Sequence, residues 1–296
     1  MDYSQGMERG DELIEVNRLT YAYPSSRKQV LQGLDFHIGK GEIFGFLGPS
    51  GAGKSTTQNV LIGKLRRYGG SVRVFGREIR SVGSDYYERI GVAFEFPHFY
   101  SRFTALENLN HFRSLYRCRT ADPMQLLEQV GLREAAHMKV EQFSKGMKMR
   151  LNYCRSVLND PDLLFLDEPT SGLDPTHADM LKRLILARRA SGTTVLLTTH
   201  NMQVAEQLCD RVAFIADGEI KLIDTPRNLK LRGGERKVRV EYEQGNKRLT
   251  EDFQLEGIGA NERFLSLIRS HRIVTMHTLE ASLEDIFMTA AGRKLV

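Results

Sequence analysis

The sequence predicts an α/β domain built on a mostly parallel sheet, followed by a small C-terminal α+β domain. Three observations predict it. Short apolar runs of strand length alternate with helical patterns over residues 13–225, as expected of strands joined by helical crossovers. One of these runs passes through a glycine-rich loop directly into a helical pattern, and another ends in two adjacent acidic residues. After the polar break Arg232-Gly233-Gly234-Glu235 the pattern becomes period-two alternation, Lys237-Val238-Arg239-Val240-Glu241-Tyr242, with a turn at Gln244-Gly245-Asn246. The expected domains are therefore 1–231 and 232–296.

The elements follow in order. Glu42-Ile43-Phe44-Gly45-Phe46-Leu47 reads as a strand, and Lys54–Leu65 as a helix through the spacing of Val60, Leu61 and Leu65. Residues of about 98–155 interrupt the alternation with a helical insertion. Its first helix opens on the capping box Thr104-Ala105-Leu106-Glu107 and continues through Leu109, Phe112 and Tyr116. Asp162–Leu166 and Thr193–Thr199 read as buried strands. Asp217-Gly218 between Val212–Ala216 and Glu219–Ile223 is a hairpin turn, so the sheet finishes antiparallel.

Composition narrows the function classes. The 296 residues are 41% hydrophobic and 27% charged, which suits a globular protein with room for one large and one small domain. Apolar runs such as Leu163–Leu166 and Val195–Leu197 are far short of the roughly 18 residues a membrane span needs. No apolar segment precedes Leu13 after Met1-Asp2-Tyr3-Ser4-Gln5-Gly6, so no secretory signal is expected and the compartment reads as cytoplasm. Cys118, Cys154 and Cys209 lack any C-x-x-C spacing and read as buried thiols. A net charge of +5, from 42 Lys+Arg and 37 Asp+Glu, is compatible with an anionic ligand, an acidic membrane surface or nucleic acid.

The chemistry concentrates in two motifs. Gly48-Pro49-Ser50-Gly51-Ala52-Gly53-Lys54-Ser55, with Thr56 following, is a P-loop between strand and helix. Its glycines let successive backbone N–H groups converge on phosphates at a helix N-terminus, Lys54 reaches the outer phosphates, and Ser55 is a ligand for Mg²⁺. Leu163-Leu164-Phe165-Leu166-Asp167-Glu168 is an apolar strand that delivers two carboxylates at its C-terminal end, where α/β sheets place ligands. Asp167 can hold Mg²⁺ and Glu168 can polarise a water.

Between and after these motifs come Phe143-Ser144-Lys145-Gly146-Met147-Lys148-Met149-Arg150, Ser171-Gly172-Leu173-Asp174 and Thr199-His200. In this order the sequence resembles the ATP-binding cassette (ABC) ATPase family over residues 13–225. The resemblance implies a P-loop NTPase fold with an antiparallel β subdomain and a helical subdomain, ATP and Mg²⁺ as ligands, and a head-to-tail dimer with a second copy. Ser144, Lys145, Gly146 and Met147 would cap ATP bound to the partner's P-loop. Lys145 and Met147 depart from the commoner Leu-Ser-Gly-Gly-Gln form, whereas Ser144 and Gly146 keep it. His200 would contact the γ-phosphate and hold Glu168 with the attacking water, and Asp174 would communicate across the dimer. Tyr23 fits the adenine-stacking position better than Tyr21. The position that usually carries a Gln for Mg²⁺ and coupling holds Glu95, similar to some bacteriocin-immunity and drug-export cassettes.

Ala281-Ser282-Leu283-Glu284-Asp285-Ile286-Phe287 is similar to the tail of exporter cassettes whose membrane subunit is a separate polypeptide. The expected protein is thus the ATPase subunit of an exporter, peripheral on the inner face of the cell membrane, with transmembrane permease subunits as partners. The alternative is a soluble ABC ATPase acting on ribosomes or nucleic acid, which the charge permits; a single P-loop and the absence of a long heptad run argue against it. A nucleotide kinase would have no need of the signature or the switch histidine.

Overall fold

The computed structural model describes residues 12–24, 28–232, 237–245, 247–279 and 281–291. Of the sequence features above, the N-terminal hexapeptide, Gly233-Gly234-Glu235 and Asn246 lie outside the described residues. By contact the chain forms two compact units, passing from one to the other between Asp224 and Thr225.

The first unit opens with two long strands, β1 (Glu12–Ala22) and β2 (Gln29–Gly39), then β3 (Ile43–Leu47) and α1 (Lys54–Leu61). Next come β4 (Gly69–Val74), β5 (Arg77–Glu78), the short α2 (Ser84–Tyr87) and β6 (Ile90–Ala93). The insertion supplies α3 (Ala105–Arg113), α4 (Pro123–Gln129) and α5 (Lys145–Ser156). The chain then returns through β7 (Leu163–Asp167), α6 (Pro175–Ala190), β8 (Thr194–Thr199), α7 (Met202–Leu208), β9 (Arg211–Ala216) and β10 (Glu219–Asp224).

Six strands form one sheet in the order β10-β9-β3-β8-β7-β6, parallel except for β10. Every residue of β3, β7 and β8 is buried, which is why these strands read as continuous apolar runs and not as alternating ones. The order also explains the site: β3 and β7 flank β8, so the P-loop after β3 and the acidic pair at the end of β7 emerge at the same edge of the sheet. A second, antiparallel sheet, β2-β1-β4-β5, shares one apolar core with the first. Phe36 of β2 packs on Phe44 and Phe46 of β3 with ring centroids 5.9 and 5.0 Å apart.

Local chemistry sets the boundaries. Thr104 and Glu107 form the expected capping box, each backbone N–H donating to the other's side chain at 2.7 and 3.1 Å. That helix ends at Arg113, since the N–H groups of Leu115 and Tyr116 bond the carbonyls three residues back, of Phe112 and Arg113, and not those four back; Tyr116 therefore lies beyond it, contrary to the spacing. The helix after the P-loop stops at Leu61 and not Leu65, since Gly63 adopts φ +81° and its N–H bonds the Val60 carbonyl. At the β9–β10 hairpin both Asp217 and Gly218 have positive φ, 52° and 80°, as a two-residue turn of matching twist requires. Cys154 and Cys209 are buried, whereas Cys118 is exposed, which corrects the expectation for that thiol. Among the described residues no helix is long and apolar enough to cross a membrane.

The second unit contains α8 (Pro226–Arg232), β11 (Lys237–Gln244), β12 (Lys247–Gln254), α9 (Glu262–Ser270), β13 (Arg272–Leu279) and α10 (Leu283–Ala291). Its antiparallel sheet has the order β12-β11-β13. The apolar face of α9, through Phe264 and Leu267, closes a small core over Val238, Val240, Tyr242 and Phe253, so this is the α+β arrangement that the alternation implied.

Candidate functional site

The P-loop conformation follows from its glycines. Gly51 and Gly53 adopt φ +78° and +113°, a region costly for residues with a Cβ. A Cβ on Gly48 would stand 2.1 Å from the carbonyl oxygen of Ile215, so β9 presses too closely on the loop for any side chain there. Lys54, the first residue of α1, is buried, and its ammonium donates to the carbonyls of Gly48 and Pro49 at 2.6 and 3.0 Å. Burial pushes its pKa down, while Glu168, Asp167 and Glu95 push it up. The cation is therefore buried among three carboxylates.

Asp167 closes β7 and accepts hydrogen bonds from the hydroxyls of Thr198, on β8, and Ser55, on α1. Burial, and to a lesser degree the charge of Glu168, raises its pKa; the Thr198 hydrogen bond and Lys54 oppose the shift. Glu168 is buried and has φ +48°, a left-handed conformation for a non-glycine residue, and such strain collects at functional sites. Its carboxylate is gripped on both oxygens. The Thr199 hydroxyl donates to Oε2 at 2.9 Å; the backbone N–H of His200 and its ring Nδ1 meet Oε1 at 2.8 and 2.6 Å. The histidine side chain is 68% exposed, so one edge of its ring orients Glu168 and the other faces outward.

Glu95 follows β6 and is half-buried. Burial, then Asp167 and Glu168, hold its pKa above the usual carboxylate range, and Lys145 and His200 oppose that shift. Tyr23 is 37% exposed and its hydroxyl lies 3.2 Å from Thr56 Oγ1 beside the P-loop. Tyr21 is buried and packs edge-on against it, centroids 5.0 Å apart. Of the two, only Tyr23 presents a ring to a ligand.

A second cluster gathers at the N-terminus of α5. Ser144 is its N-cap, accepting from the Met147 N–H at 3.2 Å, with Lys145, Gly146 and Met147 in the first turn. The Ser171–Asp174 loop lies against this turn: a Cβ on Gly146 would stand 3.2 Å from the Gly172 carbonyl and 3.4 Å from Leu173 Cδ2. Asp174 caps α6 by accepting from the His177 N–H at 3.1 Å and pairs with the His177 ring. The P-loop residues and Asp167, Glu168, Glu95 and His200 thus converge on one site, while Ser144–Met147 and Asp174 build another surface.

Two participants, Thr198 and Asn152, escaped the sequence reading, and so did the part played by Thr199. Thr198 and Thr199 supply the hydroxyls that hold Asp167 and Glu168; two polar residues ending a wholly buried strand were the available signal. Asn152, fully buried on α5, donates to the Phe94 carbonyl at 2.7 Å and so ties that helix to the Glu95 loop.

A buried, doubly gripped carboxylate at a strand end next to a P-loop, with a separate N-capped Ser-x-Gly turn on another surface, is the arrangement of an ATP-binding cassette, and comparison with known proteins agrees. A family model described as "ABC transporter" matches residues 31–171, and one described as "Fluoroquinolone efflux ABC transporter C-terminal domain" matches residues 236–280. A fluoroquinolones export ATP-binding protein of Mycobacterium tuberculosis (strain ATCC 25618 / H37Rv) is 52% identical over 287 residues, covering 97% of this chain and 95% of that protein. Among solved structures, an ATP binding subunit of an ABC transporter superposes with TM-score 0.67 at 28% identity, covering 74% of this chain and 92% of the other. A dimeric bacterial ABC transporter cassette, MJ0796, does so with TM-score 0.64 at 25% identity, covering 72% and 98%. The chain belongs to the ABC transporter ATP-binding family and is an ATPase.

Proposed function

We propose that this ATPase energises export of a fluoroquinolone-like drug through separate transmembrane subunits, while remaining peripheral on the inner face of the membrane. The observation that carries the ATPase half is the threefold grip on Glu168 opposite Lys54. The likeness that supports the drug is the 52% identity to the mycobacterial export protein, which runs through the C-terminal unit.

The chain's own residues have these roles. Lys54 and the P-loop amides bind the phosphates of ATP, and Tyr23 stacks on the adenine. Glu168, fixed by Thr199 and His200, accepts a proton from the attacking water, and His200's outer ring edge approaches the γ-phosphate. Oxygen donors that meet at one place, Ser55 against Asp167 with Glu95 nearby, fit Mg²⁺, which takes one or two carboxylates and completes its shell with phosphates and water. When bound, the metal supplies charge neutralisation at the phosphates. Ser144–Met147 meets the nucleotide of a second copy in a head-to-tail dimer, and Asp174 lies at that junction; the dimeric state of the MJ0796 cassette supports this.

For the membrane partner, the support is an exposed aromatic surface directly after Glu95. Phe96, Tyr100 and Phe103 are 68, 51 and 41% exposed, more apolar surface than a solvated loop needs. Affinity purification of the chain from detergent-solubilised membranes tests the reading. A multi-span partner should co-purify and be lost with Phe96→Ser/Tyr100→Ser; recovery of ribosomes or nucleic acid in its place would overturn it.

A further inference from the structure

The helix α5 lies directly on β6 and on the loop that follows it, and three contacts hold them together. A Cβ on Gly91 would stand 1.8 Å from the Ser156 carbonyl oxygen, so the end of the helix presses on the strand itself. Further along, Asn152 Nδ2 donates to the Phe94 carbonyl at 2.7 Å, and Arg155 Nη1 donates to the His98 carbonyl at 2.9 Å. The two side chains also hold each other. Arg155 Nη2 donates to Asn152 Oδ1 at 2.7 Å, which leaves the amide N–H group turned to Phe94. The same guanidinium stands 5.0 Å from the ring centroid of Phe99, in the loop, and 5.2 Å from that of Phe112, on α3. Asparagine is a weak helix former and costly to bury without partners. A wholly buried Asn within α5 is therefore explained by the bonds it makes and not by the helix it sits in.

The two bonded carbonyls bracket Glu95, one residue before it and three after. Because β6 and β7 pair in parallel up to Ala93 and Leu166, Glu95 leaves its strand at the level where β7 delivers Asp167 and Glu168. The sheet brings the backbone there; the ties to α5 fix the path it takes next. We propose that Asn152 and Arg155 are positioning residues for ATP hydrolysis, clamping loop 94–98 onto the signature helix so that Glu95 is seated at the nucleotide site. This rests on the ATPase reading above and goes beyond it, since both residues act through the loop. About 12 Å of helix, at 1.5 Å per residue, separates Asn152 from Ser144. The clamp thus joins Glu95, in a chain's own site, to the turn that serves a second copy. Its consequence is specific. A clamp that works through Glu95 matters to turnover only while a carboxylate stands at 95, whereas a contact that merely stabilises the fold is missed equally with any residue there.

The experiment is a double-mutant cycle on the full chain between Asn152→Ala and Glu95→Ala, read as kcat and KM for Mg-ATP with Tm measured alongside. Asn152→Ala should lower kcat about tenfold or more and shift KM less, since a misplacement of about 1 Å can cost about 10²-fold. In the Glu95→Ala background the same substitution should lower Tm as before but change kcat less than about twofold, a coupling of at least about fivefold. Arg155→Met should match Asn152→Ala, and the two together should lower kcat no further than either alone, as residues acting as a unit do. A kcat penalty that persists with Ala at 95, or a fall in Tm with kcat unchanged, would overturn the proposal. If the parent chain binds Mg-ATP but hydrolyses none, the ATPase reading fails, and the clamp is decided by the same cycle measured as Mg-ATP affinity by calorimetry. Coupling of at least about threefold there supports it and additivity overturns it. Should Asn152→Ala fail to fold, Asn152→Asp takes its place in both measurements, because a carboxylate keeps the shape and still accepts from Arg155 but cannot donate to the Phe94 carbonyl.

Discussion

Replacing Glu168 by Gln changes one atom in the most constrained part of the site. The amide oxygen can still take the His200 N–H and ring Nδ1, and the amide nitrogen then faces the Thr199 hydroxyl, which turns to accept. Shape is kept, but hydrogen bonds to a charged acceptor, worth about 1.5–3 kcal/mol, become neutral ones of about 0.5–1.5 kcal/mol. With three such bonds the loss is about 3 kcal/mol, offset in part because Asp167 no longer faces a second carboxylate. A net destabilisation of about 1–3 kcal/mol corresponds to a fall in Tm of about 2–12 °C for a domain of this size, so the variant folds. Turnover is another matter, since an amide cannot take the water's proton and general bases contribute about 10²–10⁴-fold. Phosphate release at saturating Mg-ATP should fall by that factor while calorimetry shows ATP affinity retained. Hydrolysis within tenfold of the parent, or loss of ATP binding, would refute the assignment of Glu168 as the base.

Three further outcomes follow from the same geometry. Lys54→Ala should weaken Mg-ATP binding by about 10- to 100-fold in calorimetry, the loss expected for a charged hydrogen-bonding group, whereas unchanged affinity would remove the P-loop from the site. Tyr23→Ala should cost about 0.5–1.5 kcal/mol of ATP binding, the worth of a ring stack, with little change in Tm; Tyr21→Ala should do the reverse, because its ring is buried. Gly91→Ala should lower stability in a urea titration by about 1–3 kcal/mol or more, since the new Cβ would stand 1.8 Å from the Ser156 carbonyl oxygen; a neutral result would mean that β6 and the end of α5 are not in register.

The sequence carried most of the fold, and the reasons are physical. Strands buried on both faces need continuous apolar runs, so Ile43–Leu47 and Leu163–Leu166 stood out. The capping box at Thr104 and the Asp-Gly hairpin rest on interactions within four residues, which a linear reading can see. Helix ends were less legible: apolar spacing continued through Tyr116 and Leu65, but local backbone hydrogen bonds stopped both helices earlier. In the site, motif order located Lys54, Asp167, Glu168 and His200. What held them did not show, because Thr198 and Thr199 act across 31 residues of chain.

Transport itself tests the central claim most directly. Inside-out vesicles carrying this chain and its co-purified membrane subunit should accumulate a fluoroquinolone when Mg-ATP is added, and vesicles with Glu168→Gln should not, although they bind ATP. Accumulation at equal rates in both, or an ATPase-competent complex that moves no drug, would contradict the account.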